Sequence, residues 1–455
     1  MSGRRRQGKT YLLRSLAQAT DGFFFEATDG TEVESLRMFG AALARHTGSP
    51  VGLPFADWED ALTYFFSLST NRPVPLVIDE FPLLMKASPT LPSLLKREID
   101  LRGPSQAGGS MARVLVCGSA MSVMTRLLSG TAPLRGRAGL ELMVRPFAYR
   151  DAAEFWNADD PRLAVLLHSI VGGTPAYRRQ FVRDDAPDGL RDFDDWVCRT
   201  VLDPARPLFR EARYLLAEEP DIRDPGLYYS VLAAVANGKT TWGGIAGYVG
   251  RKTADIAHPL NVLEDCGLVA KEKDAFRTGR ARYRITEPLV AFYETVMRPR
   301  WADLEQGLAQ EVWRDARPTF SAKVVGPHFE ALCREFATRH GRAVFDQPVG
   351  TVTSGVVNDP ANKTQIEVDV VVLGPMDSAG PRRVVSLGEA KWGEVMGTQH
   401  LDRLRRAQAL LRGKGFDTDD SVLACYSGAG FADDLRAAAA DNRVRLLDLP
   451  GLYSN

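Results

Sequence analysis

The residues best suited to chemistry stand at the start of the chain. The segment Gly3-Arg4-Arg5-Arg6-Gln7-Gly8-Lys9-Thr10 matches the pattern G-x-x-x-x-G-K-[ST]. In this pattern the glycines let backbone N–H groups approach phosphate oxygens, the lysine supplies charge, and the hydroxyl reaches Mg²⁺. The segment therefore predicts a nucleotide site that includes Gly3, Gly8, Lys9 and Thr10. A chance match is the alternative, and average glycine usage makes it uncommon.

Two acidic side chains end an apolar segment farther along the chain. Asp79 and Glu80 follow Pro75-Leu76-Val77-Ile78. A buried strand that ends in this way would present Asp79 to Mg²⁺ and Glu80 to an attacking water. Alone, the pair would be an ordinary solvated strand end. Together with the glycine-rich loop, it predicts ATP binding and hydrolysis.

Other polar positions could complete the nucleotide site. Ser119 follows the apolar segment Val114-Leu115-Val116 and could sense the γ-phosphate or position water, although a simple turn is the alternative. Arg135 and Arg137 flank Gly136 in a predicted loop, from which an arginine could stabilise charge during phosphoryl transfer. Solvent-exposed arginines without a catalytic role are the alternative.

A second group of reactive side chains lies near the carboxy terminus. Alternation on two predicted strands puts Asp369 on a face of the first and Glu389 with Lys391 on a face of the second. Two carboxylates can hold Mg²⁺ beside a scissile phosphate, while a lysine orients or activates water. Glu330, on the preceding predicted helix, could reach the same site. The alternative is a hairpin that carries a solvated Glu389–Lys391 ion pair.

The chain has 455 residues, so the helices and strands that must position these residues should form more than one domain. Short apolar runs that alternate with helical patterns predict a P-loop-type α/β domain with a parallel sheet over residues 1–150. Helical periodicity predicts a lid over 151–220. Three short helices and a hairpin over 221–300 resemble a winged helix. We expect a linker over 301–320 and a second α/β domain over 321–455.

Composition limits the binding partners and the cellular compartment that can be expected. The 57 basic and 57 acidic residues balance, so any nucleic-acid binding must use local patches. No apolar run is long enough to span a bilayer, and the amino-terminal residues lack the apolar core of a secretion signal. The five cysteines are far apart, which favours free thiols in a reducing compartment. We therefore expect a cytoplasmic protein that does not bind membranes.

Five segments together resemble the archaeal-type ATP-binding proteins, which are AAA-like P-loop ATPases related to the STAND signalling NTPases. These segments are GRRRQGKT, LVIDEF, LVCGSA, PLRGR and GGTPAY. The resemblance covers about residues 1–300 and implies ATP and Mg²⁺ as cofactors, with Thr10 and Asp79 at the metal. It also implies that Pro175 of the lid approaches the nucleotide. A homo-oligomer is expected if an arginine of the predicted loop acts on a neighbouring subunit.

The start of the chain departs from this family's pattern. A phosphate loop normally follows a strand, yet only Met1 and Ser2 precede Gly3. We therefore expect the first strand of the sheet to be missing, through a misassigned start or a truncation, and ATP binding by this chain to be weak.

The spacing Asp369-x(19)-Glu389-x-Lys391 resembles the PD-(D/E)xK nuclease superfamily, whose fold is restriction-endonuclease-like. The resemblance covers about residues 321–455. It implies that Asp369 and Glu389 bind Mg²⁺, that Lys391 serves the attacking water, and that Glu330 is the helix carboxylate. Glu367-Val368 stands where the pattern has proline, which leaves the metal ligand in place.

Basic residues of the predicted winged helix could contact phosphates. They are Arg251, Lys252, Arg277, Arg280 and Arg282. Packing against another protein surface is the alternative. The sequence thus predicts an ATPase coupled to a Mg²⁺-dependent nuclease that acts on nucleic acid, with DNA favoured over RNA as the partner. A regulatory or scaffolding switch with an inactive nuclease-like domain is the competing hypothesis, and a transcriptional regulator is a third.

Overall fold

A computed structural model describes residues 1–70, 72–103, 109–217, 225–376, 380–440 and 443–454 of the chain. These residues form two compact units, one spanning residues 1–146 and the other residues 147–217 and 225–454. No helix of the described ranges is long and apolar enough to cross a membrane. The cysteines at 117, 198, 266, 333 and 425 are all buried free thiols.

The first unit alternates helices and strands, as its apolar pattern predicts. Its elements are α1 (Lys9–Ala19), β1 (Phe23–Glu26), α2 (Glu32–Thr47), α3 (Trp58–Ser67), β2 (Pro75–Asp79), α4 (Phe81–Ala87), α5 (Leu91–Arg102), β3 (Arg113–Val116) and α6 (Met121–Leu128). The three strands form a parallel sheet in the order β1-β2-β3. All five residues of β2 are buried, as expected for the central strand of a parallel sheet with helices on its faces.

The segment before the first helix also enters this sheet. Ser2 forms isolated parallel bridges to Gly118, just after β3, and to Met143. The amide of Ser2 donates to the carbonyl of Leu142, and its carbonyl accepts from the amide of Val144. The first glycine of the loop is therefore held between β3 and the segment around residue 143 by one residue of strand-like pairing.

The second unit begins with helices, as predicted for 151–220. They are α7 (Tyr149–Trp156), α8 (Pro161–Val171), α9 (Phe193–Trp196) and α10 (Pro207–Ala217), with π-helical turns at Tyr177–Phe181 and Val197–Val201. A hairpin module follows, made of α11 (Pro225–Ala236), α12 (Trp242–Val249), α13 (Thr253–Asp265), β4 (Val269–Lys273) and β5 (Ala281–Ile285). The two strands are antiparallel, so the predicted three helices and hairpin are present. The assignment as a winged helix stays a prediction.

Residues 301–320, predicted as a linker, are helical and packed. The stretch contains α15 (Trp301–Glu305) and α16 (Ala309–Phe320), preceded by α14 (Pro288–Phe292), a π-helical turn (Tyr293–Met297) and one 3₁₀ turn (Arg298–Arg300). Trp313 and Phe320 are buried in the largest core of the second unit. The expectation of a linker was wrong because these aromatic side chains bury more apolar surface in a packed helix than an exposed linker could.

A carboxy-terminal module completes the second unit. Its elements are α17 (Gly326–Phe345), β6 (Val352–Asp359), β7 (Thr364–Leu373), β8 (Val384–Lys391), α18 (Thr398–Gly413), β9 (Val422–Ser427), α19 (Asp433–Ala438), β10 (Val444–Asp448) and α20 (Leu449–Tyr453). The predicted order of elements is confirmed, with α20 in addition. The sheet runs β10-β9-β8-β7-β6, and only the β6-β7 and β7-β8 pairs are antiparallel.

Helices pack on both faces of this sheet. Side chains of α17 join the core that contains Val370 and Val372, while side chains of α18 join the core that contains Val371 and Leu373. Alternate residues of β7 thus point into two different cores, which explains its nearly continuous apolar sequence. Thr364 and Gln365, at the start of β7, are exposed, and Lys391, at the end of β8, is half-buried.

Candidate functional site

The phosphate loop, residues 3–10, has the backbone geometry that its glycines predict. Gly8 has φ = 84° and caps α1, a conformation that glycine adopts without strain. Gly3 has φ = 153°, and a Cβ atom there would lie 2.5 Å from the carbonyl oxygen of Val144. Because α1 begins directly after Gly8, its free N–H groups and the positive end of its dipole face the loop.

The polar residues at the end of the loop meet the end of β2. The hydroxyl of Thr10 donates to Oδ2 of Asp79 at 2.5 Å, which brings the two predicted magnesium ligands together. Lys9 Nζ donates to the carbonyl of Arg4 at 2.7 Å. Burial lowers the pKa of Lys9, although the carboxylates of Glu80 and Asp79 oppose the shift. The lysine thus points back over the loop, where a phosphate group would compete for its hydrogen bond.

Glu80 and Ser119 also come together. Glu80 has φ = 52° at the start of α4. Its two carboxylate oxygens each lie 3.1 Å from the hydroxyl of Ser119. Nε of Arg5 donates to the same hydroxyl at 3.3 Å. Sequence reasoning missed Arg5, although its position within the loop was a signal that it would lie near bound phosphates.

Two other predicted nucleotide ligands, Arg135 and Arg137, make contacts away from the phosphate loop. Arg137 binds Asp100 of α5 through two hydrogen bonds of 2.6 and 3.1 Å. Arg135 donates to the carbonyl of Gly130 at 2.7 Å. Both side chains are thus held by contacts outside the phosphate loop. Pro175 belongs to the second unit, and its approach to the nucleotide stays a prediction.

The carboxylate cleft of the second unit consists of Glu330, Asp369, Glu389 and Lys391. Val370 of β7 pairs with Gly388 of β8 in an antiparallel register. Asp369 precedes Val370 and Glu389 follows Gly388, so the two carboxylates lie at neighbouring positions on the two strands. Oδ2 of Asp369 accepts from the amide of Ala390 at 3.0 Å. Lys391 Nζ lies 3.1 Å from Oε1 of Glu389. Two strands therefore bring together the aspartate, glutamate and lysine that the spacing predicts.

Helix α17 adds Glu330 and a residue that sequence reasoning missed. Arg334, one turn after Glu330, donates to the carbonyl of Asp369 at 2.9 Å and lies 4.0 Å from Oε2 of Glu330. Arg334 is nearly buried, with 10% of its side chain exposed. The i,i+4 spacing from Glu330 was the available signal.

Burial makes it unfavourable to ionise the acidic side chains Glu330 and Asp369 of this cleft. Burial, reinforced by the charge of Asp369, raises the pKa of Glu330 to about 8. Burial also raises the pKa of Asp369 to about 6. Lys391 has a raised pKa despite its burial, because the carboxylates of Glu389 and Asp369 favour its charged form. Buried carboxyl groups with raised pKa values are poorly stabilised in their charged form. A bound cation would therefore stabilise these carboxylates more than it would exposed ones.

The cleft offers oxygens that fit a hard divalent cation. Oε2 of Glu389 is buried without a hydrogen-bond partner in the described chain, and Nε of Arg403 lies 3.6 Å from it. The described residues contain no group of three acidic, histidine or cysteine side chains that could hold a metal ion. Mg²⁺, which often binds one or two carboxylates and keeps several waters, is compatible with Asp369 and Glu389 alone.

The hairpin module contacts the strands that carry this cleft. Arg282 of β5 forms an ion pair with Glu367, and Arg277 of the hairpin loop hydrogen-bonds Asn358 of β6. Two of the basic residues expected to face nucleic acid on an exposed wing thus face the carboxy-terminal module. Sequence reasoning assigned the hairpin and the cleft to separate domains.

Comparison with known proteins gives distant likenesses. No protein family model matches this chain. The uncharacterized protein MJECL04 of Methanocaldococcus jannaschii is 24% identical over 340 residues, which are 73% of this chain and 71% of that protein. The Walker-type ATPase PABY2304 of Pyrococcus abyssi is 17% identical, with a TM-score of 0.46 over 64% of this chain and 89% of that one. The Aeropyrum pernix ORC2 protein is 15% identical, with a TM-score of 0.36 over 70% of this chain and 88% of that one.

Proposed function

We propose that this protein is a P-loop ATPase coupled to a Mg²⁺-dependent nuclease site that acts on nucleic acid. Asp369 and Glu389, opposed on neighbouring strands with Lys391 beside them, carry the proposal for the nuclease. The Thr10–Asp79 hydrogen bond beneath a glycine-rich loop supports the ATPase. The two sites lie in different compact units, so ATP binding and phosphodiester cleavage can be tested one at a time.

In the first unit, the loop and the start of α1 would bind the phosphates. Backbone N–H groups and Lys9 supply hydrogen bonds and charge for the phosphate oxygens. Thr10 and Asp79 would hold Mg²⁺, which neutralises developing charge during phosphoryl transfer. Glu80 is held through Ser119, and release of that contact would free its carboxylate to orient water.

In the second unit, Asp369 and Glu389 would hold Mg²⁺, which polarises the scissile phosphate and lowers the pKa of a bound water. Lys391, charged and next to Glu389, is placed to orient that water. Glu330 lines the cavity into which the cleft opens, and burial raises the pKa of its carboxyl group, so it would hold a proton more readily than an exposed glutamate.

A second function, an ATP-dependent switch with an inactive nuclease-like module, is favoured by one observation. Lys391 and Arg403 both lie next to Glu389, at 3.1 and 3.6 Å, and so provide countercharge without a metal ion. A buried carboxylate paired in this way can be purely structural. Cleavage assays separate the two functions.

The decisive experiment uses the full chain with labelled DNA and RNA strands and duplexes, in Mg²⁺, with and without ATP. Asp369→Ala and Lys391→Ala should abolish cleavage, whereas Asp402→Ala, an exposed aspartate on α18, should cleave as the unmodified protein does. If no substrate is cut, or if Asp369→Ala cuts equally well, the nuclease is refuted and the switch is favoured.

The ATPase is tested by equilibrium binding of a fluorescent ATP analogue. Lys9→Ala should weaken binding at least about tenfold, since hydrogen bonds to charged groups contribute about 1.5–3 kcal/mol. Lys86→Ala, which removes an exposed lysine paired with Asp29, is the matched control. Equal affinities of the two variants would refute the assignment of the loop.

A further inference from the structure

A cavity of about 290 Å³ lies in the second unit between the hairpin module and the carboxy-terminal module. One wall carries arginines of β5, Arg282 and Arg284, and the facing wall carries Arg334 of α17. The carboxylate cleft opens into it, since Glu330 and Asp369 also line the cavity. The site that would cut phosphodiesters is thus bordered by three guanidinium groups, two of which come from a module that sequence reasoning kept separate.

The hairpin that carries these arginines is part of the carboxy-terminal fold. The amide of Ala275 donates to the carbonyl of Ser354 at 3.0 Å, and the hydroxyl of Thr353 donates to the carbonyl of Lys273 at 2.7 Å. Ala275 is buried in the same core as β7, β8 and α18. One backbone hydrogen bond, one side-chain hydrogen bond to a backbone carbonyl, and shared core packing therefore hold the hairpin against the carboxy-terminal module.

An aromatic contact anchors the tip of the hairpin. Phe276 packs edge-on against Phe416, with ring centroids 5.5 Å apart. Its ring also fills the space beside Gly355, where a Cβ atom would come within 2.5 Å of the ring. The absence of a side chain at 355 lets the hairpin seat closely on β6, so the cavity wall is built into the fold.

In this structure each arginine of the cavity lies next to an acidic side chain. Nε of Arg284 donates to Oε1 of Glu272 at 2.7 Å, and Arg334 lies 3.7 Å from Oε2 of the same carboxylate. Arg282 is paired with Glu367 at a more open position, where 35% and 48% of the two side chains are exposed. Exposed ion pairs contribute little to stability, so a phosphate group can replace Glu367 at small cost. Bidentate hydrogen bonding to phosphate suits an arginine in this position.

We propose that this cavity is the substrate channel of the carboxylate cleft and that it takes single-stranded nucleic acid, with Arg282 and Arg284 of the hairpin holding backbone phosphates over Asp369. The inference rests on the proposed nuclease for its location, and adds the class of substrate and the residues that position it. A cavity of this volume is at the low end for small-molecule sites and fits about one nucleotide. A duplex would have to displace a hairpin that is anchored by its backbone and by Phe276.

Binding is measured separately from cleavage, by fluorescence anisotropy of labelled DNA in EDTA with the full chain. A single strand should bind at least about tenfold more tightly than the matching duplex. For Arg282→Gln, the slope of log affinity against log salt should fall by about 0.7, the value for one lost phosphate contact on a single strand. Arg282→Lys should restore most of that slope. Arg405→Gln, which removes an exposed arginine of α18 that is likewise paired with a carboxylate, Asp402, is the control and should not change the slope.

Glu367→Gln should change the affinity for a single strand in the opposite direction. If Glu367 competes with phosphate for Arg282, removing its charge should tighten single-strand binding, whereas a purely structural ion pair would lose affinity or show no change. Equal binding of duplex and single strand, or an unchanged salt slope for Arg282→Gln, would overturn the channel. Single-strand binding with these dependences but without cleavage in Mg²⁺ would uphold the channel and refute only the nuclease.

Discussion

The pair formed by His168 and His328 makes a quantitative prediction about acid stability. Nδ1 of His168 lies 2.8 Å from Nε2 of His328, with the ring centroids 5.0 Å apart. One nitrogen must donate and the other accept, so the contact needs at least one neutral ring. Burial lowers the pKa of His168 to about 4 and holds the pKa of His328 well below 6.5, assisted by the charges of its neighbours His168 and Arg284.

The direction of the effect follows from where the protons bind. The folded state excludes a proton from His168 that the unfolded chain accepts below pH 6.5. The stability contributed by neutral His168 is therefore complete above pH 6.5 and falls as the pH drops towards 4. With these two pKa values, linkage gives a loss of about 2 kcal/mol between pH 7.5 and pH 5. His328 should add to this loss.

Urea denaturation followed by tryptophan fluorescence tests this value, since six of the seven tryptophans lie in the second unit. The unmodified protein, His168→Asn and His258→Asn should each be unfolded at pH 7.5 and pH 5. Asparagine keeps a polar group near the position of Nδ1 and does not titrate. His168→Asn should show a loss on acidification that is smaller by about 2 kcal/mol. His258 is exposed, so its variant should behave as the unmodified protein does. If both variants lose as much stability as the unmodified protein, the His168 argument is refuted.

Three other predictions each depend on contacts inside a single compact unit. Thr10→Ala should remove most of the Mg²⁺ dependence of ATP binding, because the hydroxyl that contacts Asp79 is lost; titrations in Mg²⁺ and in EDTA test this, and an unchanged ratio of affinities would contradict it. Burial raises the pKa of Glu294 to about 6, so its contribution to stability is complete below pH 4.5 and is lost as the pH rises through 6. Glu294→Gln should therefore gain up to about 2 kcal/mol relative to the unmodified protein between pH 4.5 and pH 8, and parallel pH profiles in urea denaturation would refute this. Gly355→Ala should destabilise the second unit by about 1–3 kcal/mol, because the new methyl group would overlap the ring of Phe276. Gly413→Ala, which meets no atom within 4 Å, is the control for that comparison, and equal stability of the two variants would count against the packing argument.

Local patterns were sufficient to predict which side chains come together in each candidate site. The phosphate loop and the end of β2 are short segments whose residue types each have a direct physical use, and Thr10 and Asp79 meet as expected. The strand alternation that placed Asp369 and Glu389 also needs only a few residues on each strand. The positions of these residues could be predicted because each depends on a repeat or spacing that a single strand or turn imposes.

Contacts between distant segments were not predictable in this way. Arg282 and Glu367 are 85 residues apart, and nothing in either local pattern indicates their pairing. The helices of residues 301–320 were not predicted, since proline usually interrupts a helix, whereas Pro299 lies in a 3₁₀ turn and Pro318 is accommodated near the end of α16. Tertiary packing, including that of Trp313, outweighed the local signal of the prolines.

The anchored hairpin affects how this protein can be dissected into fragments. A fragment that ends before α17 would expose Ala275 and Phe276, which the carboxy-terminal module now covers. A fragment that begins at α17 would leave the edge of β6 and the space beside Gly355 open to solvent, which favours association between copies. Truncated versions of either kind should therefore be poorly soluble, and an inactive fragment would say little about the activity of the whole protein. Point substitutions in the full chain are the sounder way to assign roles, and natural rearrangements that separate the two modules should be rare for the same reason.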